Sequence, residues 1–436
     1  MECKCPSGWR MTCLPELGEL NRGRSRHRPR YAEHLYGGPY PFIQTGDIKA
    51  SNGRITSYTQ TYSELGLAQS RLWPAGTMCI TIAANIAETA ILTFPACFPD
   101  SVVGFIPTPG QADVRFIEYT FRYLRQQIQH EATGSVQDNI NLETLQRLRF
   151  PVPPLSTQRA IAAILGALDD KIELNRRMTA TLEAMARALF QSWFVDFDPV
   201  RAKLDGRHPA GMDAATATLF PAGFQDTEAG HIPNGWTARR LPDAIEVNPR
   251  RNLTAGTIAP YLDMRNLPTQ GHSAEEIIDR EFSSGTKFQH GDTLLARITP
   301  CLENGKTGYV DFLESGQVGW GSTEFIVLAP KPPLPPQFGY LLARSDALRS
   351  HAIQNMTGTS GRQRVPSECL NSFWLAVPPL RIARRFDELT APLIARIKAN
   401  SSQSRTLAAL RDTLLPKLLS GELRIRDAER FVGRVV

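Results

Sequence analysis

Five arginines alternate with small or polar residues in the stretch Asn21-Arg-Gly-Arg-Ser-Arg-His-Arg-Pro-Arg30, and no acid interrupts them. A guanidinium presents a rigid fork of donors that suits two-point contact with a phosphate or a guanine edge. Arg22, Arg24, Arg26 and Arg28, with Arg30 behind them, are therefore the first candidate contacts to nucleic acid; the other reading of the run is a solvated loop. Two Thr-Gly loops supply the second set: Ser135, Gln137 and Asn139 after Gly134, and Thr359, Arg362, Gln363 and Arg364 after Gly358. Such side chains read base edges or hold phosphates. A third set belongs to strand edges: Lys49, Asn52 and Arg54 early in the chain, and Arg265, Asn266, Arg297, Asn304 and Lys306 later. Arg250 and Arg251, after Asn248-Pro249, stand where the later half would repeat the arginine run. The two halves are thus expected to touch their targets differently.

Catalytic signals are missing. Gly305-Lys306-Thr307 would suit a phosphate loop, but the position that needs the first glycine is Pro300. No Gly-x-Gly-x-x-Gly occurs, and Pro153-Pro154 and Pro378-Pro379 are each preceded by Val and followed by Leu, unlike the Pro-Pro-aromatic motif of an adenine methyltransferase. Asp196 and Asp198 have no matching lysine and read as capping or turn acids. The histidines show no metal spacing. The 7 cysteines, at positions 3, 5, 13, 79, 97, 301 and 369, suggest reduced thiols rather than a disulfide framework. The pattern is that of a recognition and assembly protein.

The elements that must carry these residues occur twice. Residues 133–194 and 357–419 both run from a Thr-Gly loop through an apolar strand and a Val-Pro-Pro-Leu hinge into a long patterned helix. The repeat reaches back further: Gly8-Trp9 matches Gly235-Trp236, Leu14-Pro15 matches Leu241-Pro242, and Trp73–Thr77 answers Phe288–Asp292. A helix near 113–131 answers one near 337–355. At 436 residues the chain exceeds one core, its 42 % apolar content is that of a globular protein, and its net charge of +6 favours an acidic partner. The sequence shows neither a stretch of 18 apolar residues nor the apolar core of a secretion signal, so a cytoplasmic location is expected. The expected borders are a globular domain over 1–155, a helix over 156–195, a connector over 196–233, a second globular domain over 234–380, a helix over 381–420 and a tail over 421–436.

Within the two helices, alternating steps of four and three pick out Ile161, Leu165, Leu168, Ile172, Asn175, Leu182 and Leu189 in the first, and Phe386, Leu393, Ile397, Asn400, Leu407 and Leu414 in the second. That step makes a narrow seam, the pattern of helices wound on each other, with an Asn at the same place in both to fix register. The fold class expected is mixed α/β (α+β): two globular domains and two long helices paired as an antiparallel coiled coil, with pseudo-twofold repetition. Pro416 is expected to end or kink the second helix near Leu415.

The whole chain resembles the specificity subunit of a type I restriction-modification system. The resemblance rests on the two Gly-Trp openings, the Thr-Gly loops, the Pro-Pro-Leu hinges, the long helices, and the stretches Ser192–Lys203 and Leu415–Leu423. It implies that each globular domain is a target-recognition domain reading one half of a bipartite double-stranded DNA site. It further implies that the helices space the domains and dock two methylation subunits, joined by restriction subunits. The partners would bind S-adenosylmethionine, ATP and Mg, and this chain would hold no cofactor, metal or active site. The different-class alternatives are an enzyme, such as a fused nuclease or methyltransferase, which would need the nucleotide or S-adenosylmethionine fingerprint that is missing, and a scaffold that binds proteins without reading DNA.

Overall fold

A computed structural model describes residues 8–27, 29–83, 85–133, 140–274, 276–359 and 361–434. The chain divides into two units, one of Met1–Ile172 with Arg405–Val436 and the other of Glu173–Ser404. Each therefore takes a piece of both long helices, Leu155–Phe194 and Leu380–Leu419.

The first unit is built on a five-stranded sheet in the order Gly18–Arg22, Val102–Pro107, Met78–Thr81, Thr89–Leu92, Arg54–Ile55. Strand side chains alternate between faces. Accordingly Met78, Ile80, Ile91, Val103 and Phe105 face one core, and Cys79, Ala90, Leu92 and Val102 the other. The helix Val114–Thr133 covers the first face through Phe116, Ile117 and Phe121. Ile161, Leu165 and Leu168 of the first long helix enter that core, as do Leu407, Leu414 and Leu418 of the second. Polar bonds secure the pair: Asp169 accepts from Tyr119 (2.6 Å) and Arg411 (2.7 Å), and Arg122 lies 3.6 Å away. Arg122 also bonds Glu118 at 3.0 Å, where burial pushes the carboxyl up and the guanidinium pulls it down.

The second unit repeats the plan. Its four-stranded sheet runs Ile245–Val247, Phe325–Pro330, Thr293–Ala296, Thr307–Tyr309. Leu295, Ile326 and Leu328 face the core shared with the long helices, while Leu294, Ala296, Phe325 and Val327 face the opposite one. The unit has a further four-stranded sheet, in the order Ile278–Glu281, Ile258–Leu262, Val318–Gly321, Thr286–Gln289. The long helices meet at an aromatic cluster in which Phe194 stands edge-on to Phe386 at 4.7 Å. Further along, buried Asn175 donates to Gln403 at 2.9 Å. Residue numbers rise on one helix as they fall on the other, so the pairing is antiparallel. Ile161, Leu165, Leu168, Asn175, Phe386, Ile397, Asn400, Leu407 and Leu414 are buried, whereas Ile172, Leu182, Leu189 and Leu393 are half-buried at the margin.

Each unit is closed by a short antiparallel pair next to its Gly-Trp: Arg10–Thr12 with Phe150–Val152, and Thr237–Arg240 with Trp374–Val377. Residues 196–233 fold into helices Asp198–Leu204 and Ala214–Leu219 and the hairpin Phe224–Thr227/Gly230–Pro233, and Val200, Phe220 and Ile232 join the core.

Two elements differ from the sequence reading. The second long helix continues through Pro416 to Leu419. Buried Leu415, Leu418 and Leu419 outweigh the roughly 3 kcal/mol that an interior proline costs, each buried side chain contributing about 1.5–3 kcal/mol. The helix expected near 337–355 is two, Pro336–Ala343 and Asp346–Gln354, because Ser345 caps a new start by accepting from Leu348 N–H at 3.4 Å.

Candidate nucleic-acid interface

In the second unit several of the candidate residues converge on one rim. The segment after strand Thr293–Ala296 and the Thr-Gly loop are stitched together by backbone bonds. Thr299 N–H donates to the Gln363 carbonyl (3.0 Å), Val365 N–H to Arg297 (2.8 Å) and Arg297 N–H to Glu324 (3.0 Å). The loop closes on itself through paired Thr357–Arg364 bonds of 2.8 and 2.9 Å. Gly358 has φ of +120°, a conformation open to glycine, and an added Cβ would meet the Arg362 carbonyl at 3.2 Å. Arg364 forks onto Glu324 at 2.7–3.0 Å, which fixes the loop, while Thr359 and Arg362 stay exposed. Lys306 spans to the carbonyls of Met264 (2.7 Å) and Arg265 (2.9 Å) and so joins the turn bearing Arg265 and Asn266 to the same rim. Arg265 and Asn304 are exposed, and Asn266 donates weakly to the Glu276 carbonyl at 3.4 Å.

Buried Arg344 sits beneath this rim. Its guanidinium donates to the carbonyls of Thr269 (2.6 Å), Gly305 (2.8 Å), Gly271 (2.5 Å) and Thr307 (2.9 Å), and Nε donates to the Tyr340 hydroxyl at 3.2 Å. Tyr340 in turn donates to Glu183 of the first long helix at 2.6 Å. One side chain thus ties the two rim loops to a helix. Sequence reading missed it, because a lone Arg between Ala343 and Ser345 carries no pattern.

Beside the rim is a cleft of about 300 Å³ whose lining includes Tyr261, Asp263, Arg280, Ser284, Trp320 and Ser322. The parallel pairing of Leu262 with Gly321 brings its walls together; a Cβ on Gly321 would strike the Leu262 carbonyl oxygen at 2.4 Å. Arg280 lies over the rings of Tyr261 (4.9 Å) and Trp320 (5.7 Å). A smaller cleft of about 110 Å³ continues to Arg265, Asn266, Glu276 and Ile278.

Residues 6–184 match the family model of the type I restriction modification DNA specificity domain. Over 444 residues, spanning 97 % of this chain and 95 % of the relative, the chain is 24 % identical to the type I restriction enzyme MjaIX specificity subunit of Methanocaldococcus jannaschii. It is 31 % identical over 213 residues, 48 % of this chain and 36 % of the relative, to the EcoEI specificity subunit of Escherichia coli. The crystal structure of a type I restriction-modification S subunit from M. genitalium shares the fold, with a TM-score of 0.58 at 14 % identity, covering 96 % of this chain and 97 % of that one. Along nearly its whole length the chain is thus similar to type I restriction-modification specificity subunits.

In this chain the first unit disposes its candidates differently. Arg22, at the end of strand Gly18–Arg22, and Arg24 and Arg26 beyond it are exposed. Their backbone is pinned, with Arg24 N–H donating to Phe98 (3.1 Å), Arg26 N–H to the Gln69 side chain (2.6 Å) and the Ser70 hydroxyl to the Arg24 carbonyl (2.8 Å). Among the described residues, no carboxylate pairs with Arg22, Arg24 or Arg26, whereas Arg30 forks onto Asp100 with both bonds at 2.9 Å. Lys49, on helix Thr45–Ala50, donates to Asn85 at 3.3 Å, and exposed Asn52 turns the chain with φ of +49°. Arg54 is engaged with Asp170 of the first long helix, and in the second unit Arg251 bonds buried Asp292 at 2.9 Å. Burial pushes the Asp292 carboxyl up while Arg251 draws it down. Arg250 is exposed. Arg28, Ser135, Gln137 and Asn139 lie outside the described residues. Among the described residues no cluster of His, Cys, Asp or Glu could hold a metal ion, and no helix is long and apolar enough to cross a membrane.

Proposed function

We propose that this chain is the DNA-sequence-specificity subunit of a type I restriction-modification complex and that each unit reads one half of a bipartite site. The observation that carries the reading is the rim of the second unit. Arg265, Asn304, Thr359 and Arg362 are exposed there on loops that Lys306, Arg344 and Arg364 hold in place. Exposed donors on braced loops are what direct reading of base edges requires. In the first unit the exposed Arg22, Arg24 and Arg26 on pinned backbone supply phosphate contacts. The long helices set the spacing between half-sites and dock two methylation subunits. Those partners bind S-adenosylmethionine and methylate DNA, and restriction subunits add ATP- and Mg-dependent chemistry. This chain contributes recognition and no catalytic group.

The test is a selection from randomised duplexes by the full-length chain with a methylation subunit. Two defined sequence elements separated by a fixed undefined gap are expected. Retention without sequence preference would leave a protein scaffold as the better reading.

A further inference from the structure

We infer that the Arg280–Asp263 cleft reads one G·C pair within the half-site of the second unit, Arg280 taking the guanine and Asp263 the cytosine. The inference rests on the DNA-reading function proposed above and names residues that no motif pointed to.

Arg280 is on the edge strand Ile278–Glu281, all four residues of which are exposed. Side chains alternate along a strand, so Ile278 and Arg280 share the cleft face and Asp279 and Glu281 point the other way. Both Ile278 and Arg280 line the smaller cleft. The guanidinium rests over Tyr261 and Trp320, whose rings are 4.5 Å apart, and Trp320 is itself anchored by donating to the Arg280 carbonyl at 3.3 Å. The fork is thereby held in orientation, and among the described residues no carboxylate lies in ion-pair reach of it. Asp263 spends one oxygen on Arg265 N–H (2.9 Å) and receives only a long bond from the Tyr261 hydroxyl (3.4 Å) on the other.

Charge decides between the two DNA groups that an arginine can take. A phosphodiester would meet Asp263 opposite Arg280 in the larger cleft, and Asp263 and Glu276 opposite Arg265 and Arg280 in the smaller one, so neither lining has the excess of positive charge that favours a phosphate. A base-pair edge needs no such excess. Guanine presents two acceptors, O6 and N7, which fit the arginine fork, and the paired cytosine presents the N4 amine, which a carboxylate accepts. A fixed donor fork beside a fixed acceptor matches that edge.

The experiment is the duplex selection repeated with full-length Arg280→Lys, Arg280→Ala and Asp263→Asn. Arg280→Lys keeps the charge and loses the fork; Asp263→Asn keeps an oxygen for the Arg265 cap. The wild type is expected to show a guanine in one half-site. Arg280→Lys and Arg280→Ala should lose that preference by about ten- to a hundred-fold, with the other half-site intact. Asp263→Asn should relax the same pair. An unchanged motif with Arg280→Ala weakened equally on every sequence and Arg280→Lys restored would mean a phosphate contact and overturn the inference. So would no effect of any variant. If the wild type itself selects no motif, the DNA-reading function fails and the inference falls with it.

Discussion

At the scale of single residues, formal charge was a poor guide to which cations are available. The sequence presents Arg22, Arg24, Arg26, Arg54, Arg251 and Arg364 as equals. Arg54, Arg251 and Arg364 are held by Asp170, Asp292 and Glu324, partners 40 to 116 positions away in the chain, which no local pattern announces. Arg22, Arg24 and Arg26 remain exposed. Replacing these three with Ala is expected to flatten the salt dependence of DNA binding by about 0.9 in the log-log slope for each phosphate no longer neutralised. An unchanged slope would return the run to an ordinary solvated loop. A different residue sets an acid-limb prediction. Asp213 caps helix Ala214–Leu219 by accepting from Thr216 N–H (2.8 Å) and its hydroxyl (2.7 Å), and these bonds, with Arg385 beyond them, draw its pKa down to about 2 from 3.8. A depressed folded-state pKa adds stability above the unfolded value and loses it as pH falls. The cap is therefore fully effective above about pH 4 and fades toward about pH 2. Thermal melts of Asp213→Ala should converge on those of the wild type across that window and differ above it.

At the scale of elements, the long helices were legible because a 4-3 apolar step is a local property, and Leu165, Leu168 and Ile397 are fully buried where the step puts them. The seam Asn pair was legible for the same reason; the partner of Asn175, Gln403, was not, since it lies off the step. Pro416 misled because the rule against interior proline is local, whereas the burial of Leu418 and Leu419 that overrides it is tertiary. The cleft escaped detection because Tyr261, Arg280 and Trp320 come from three strands, and Arg280 sits between Asp279 and Glu281, where it reads as surface charge. Arg344 offers the sharpest test of how the rim is held. Arg344→Met strands the carbonyls of Thr269, Gly305, Gly271 and Thr307 and is expected to destabilise the second unit by about 2–4 kcal/mol. Hydrogen exchange should rise first in residues 269–271 and 305–307. Tyr340→Phe removes the donor to Glu183 and the acceptor for Arg344 Nε but leaves the four carbonyl bonds of Arg344, and should cost about 1–3 kcal/mol. Equal exchange across the unit in both variants would show that Arg344 does not brace the loops.

At the scale of the whole molecule, duplication is the organising fact. The sheet order Gly18–Arg22, Val102–Pro107, Met78–Thr81, Thr89–Leu92 recurs as Ile245–Val247, Phe325–Pro330, Thr293–Ala296, Thr307–Tyr309. Among the described residues the two units expose different cations, Arg22, Arg24 and Arg26 in one and Arg265 and Arg362 in the other, which suits two unlike half-sites. If the long helices set the gap, a heptad added to each lengthens them by about 10 Å, or about three base pairs at 3.4 Å per step. The gap should widen by that amount while both half-sites keep their sequences. The most direct test of bipartite reading is methylation-sensitive sequencing of DNA from cells carrying this chain with a co-expressed type I methylation subunit, run beside a variant altered only at Arg280 and Arg362. Two short defined sequences flanking a fixed gap are predicted, with only one of them changed in the variant. A single uninterrupted motif, or a variant in which both halves change together, would contradict bipartite reading.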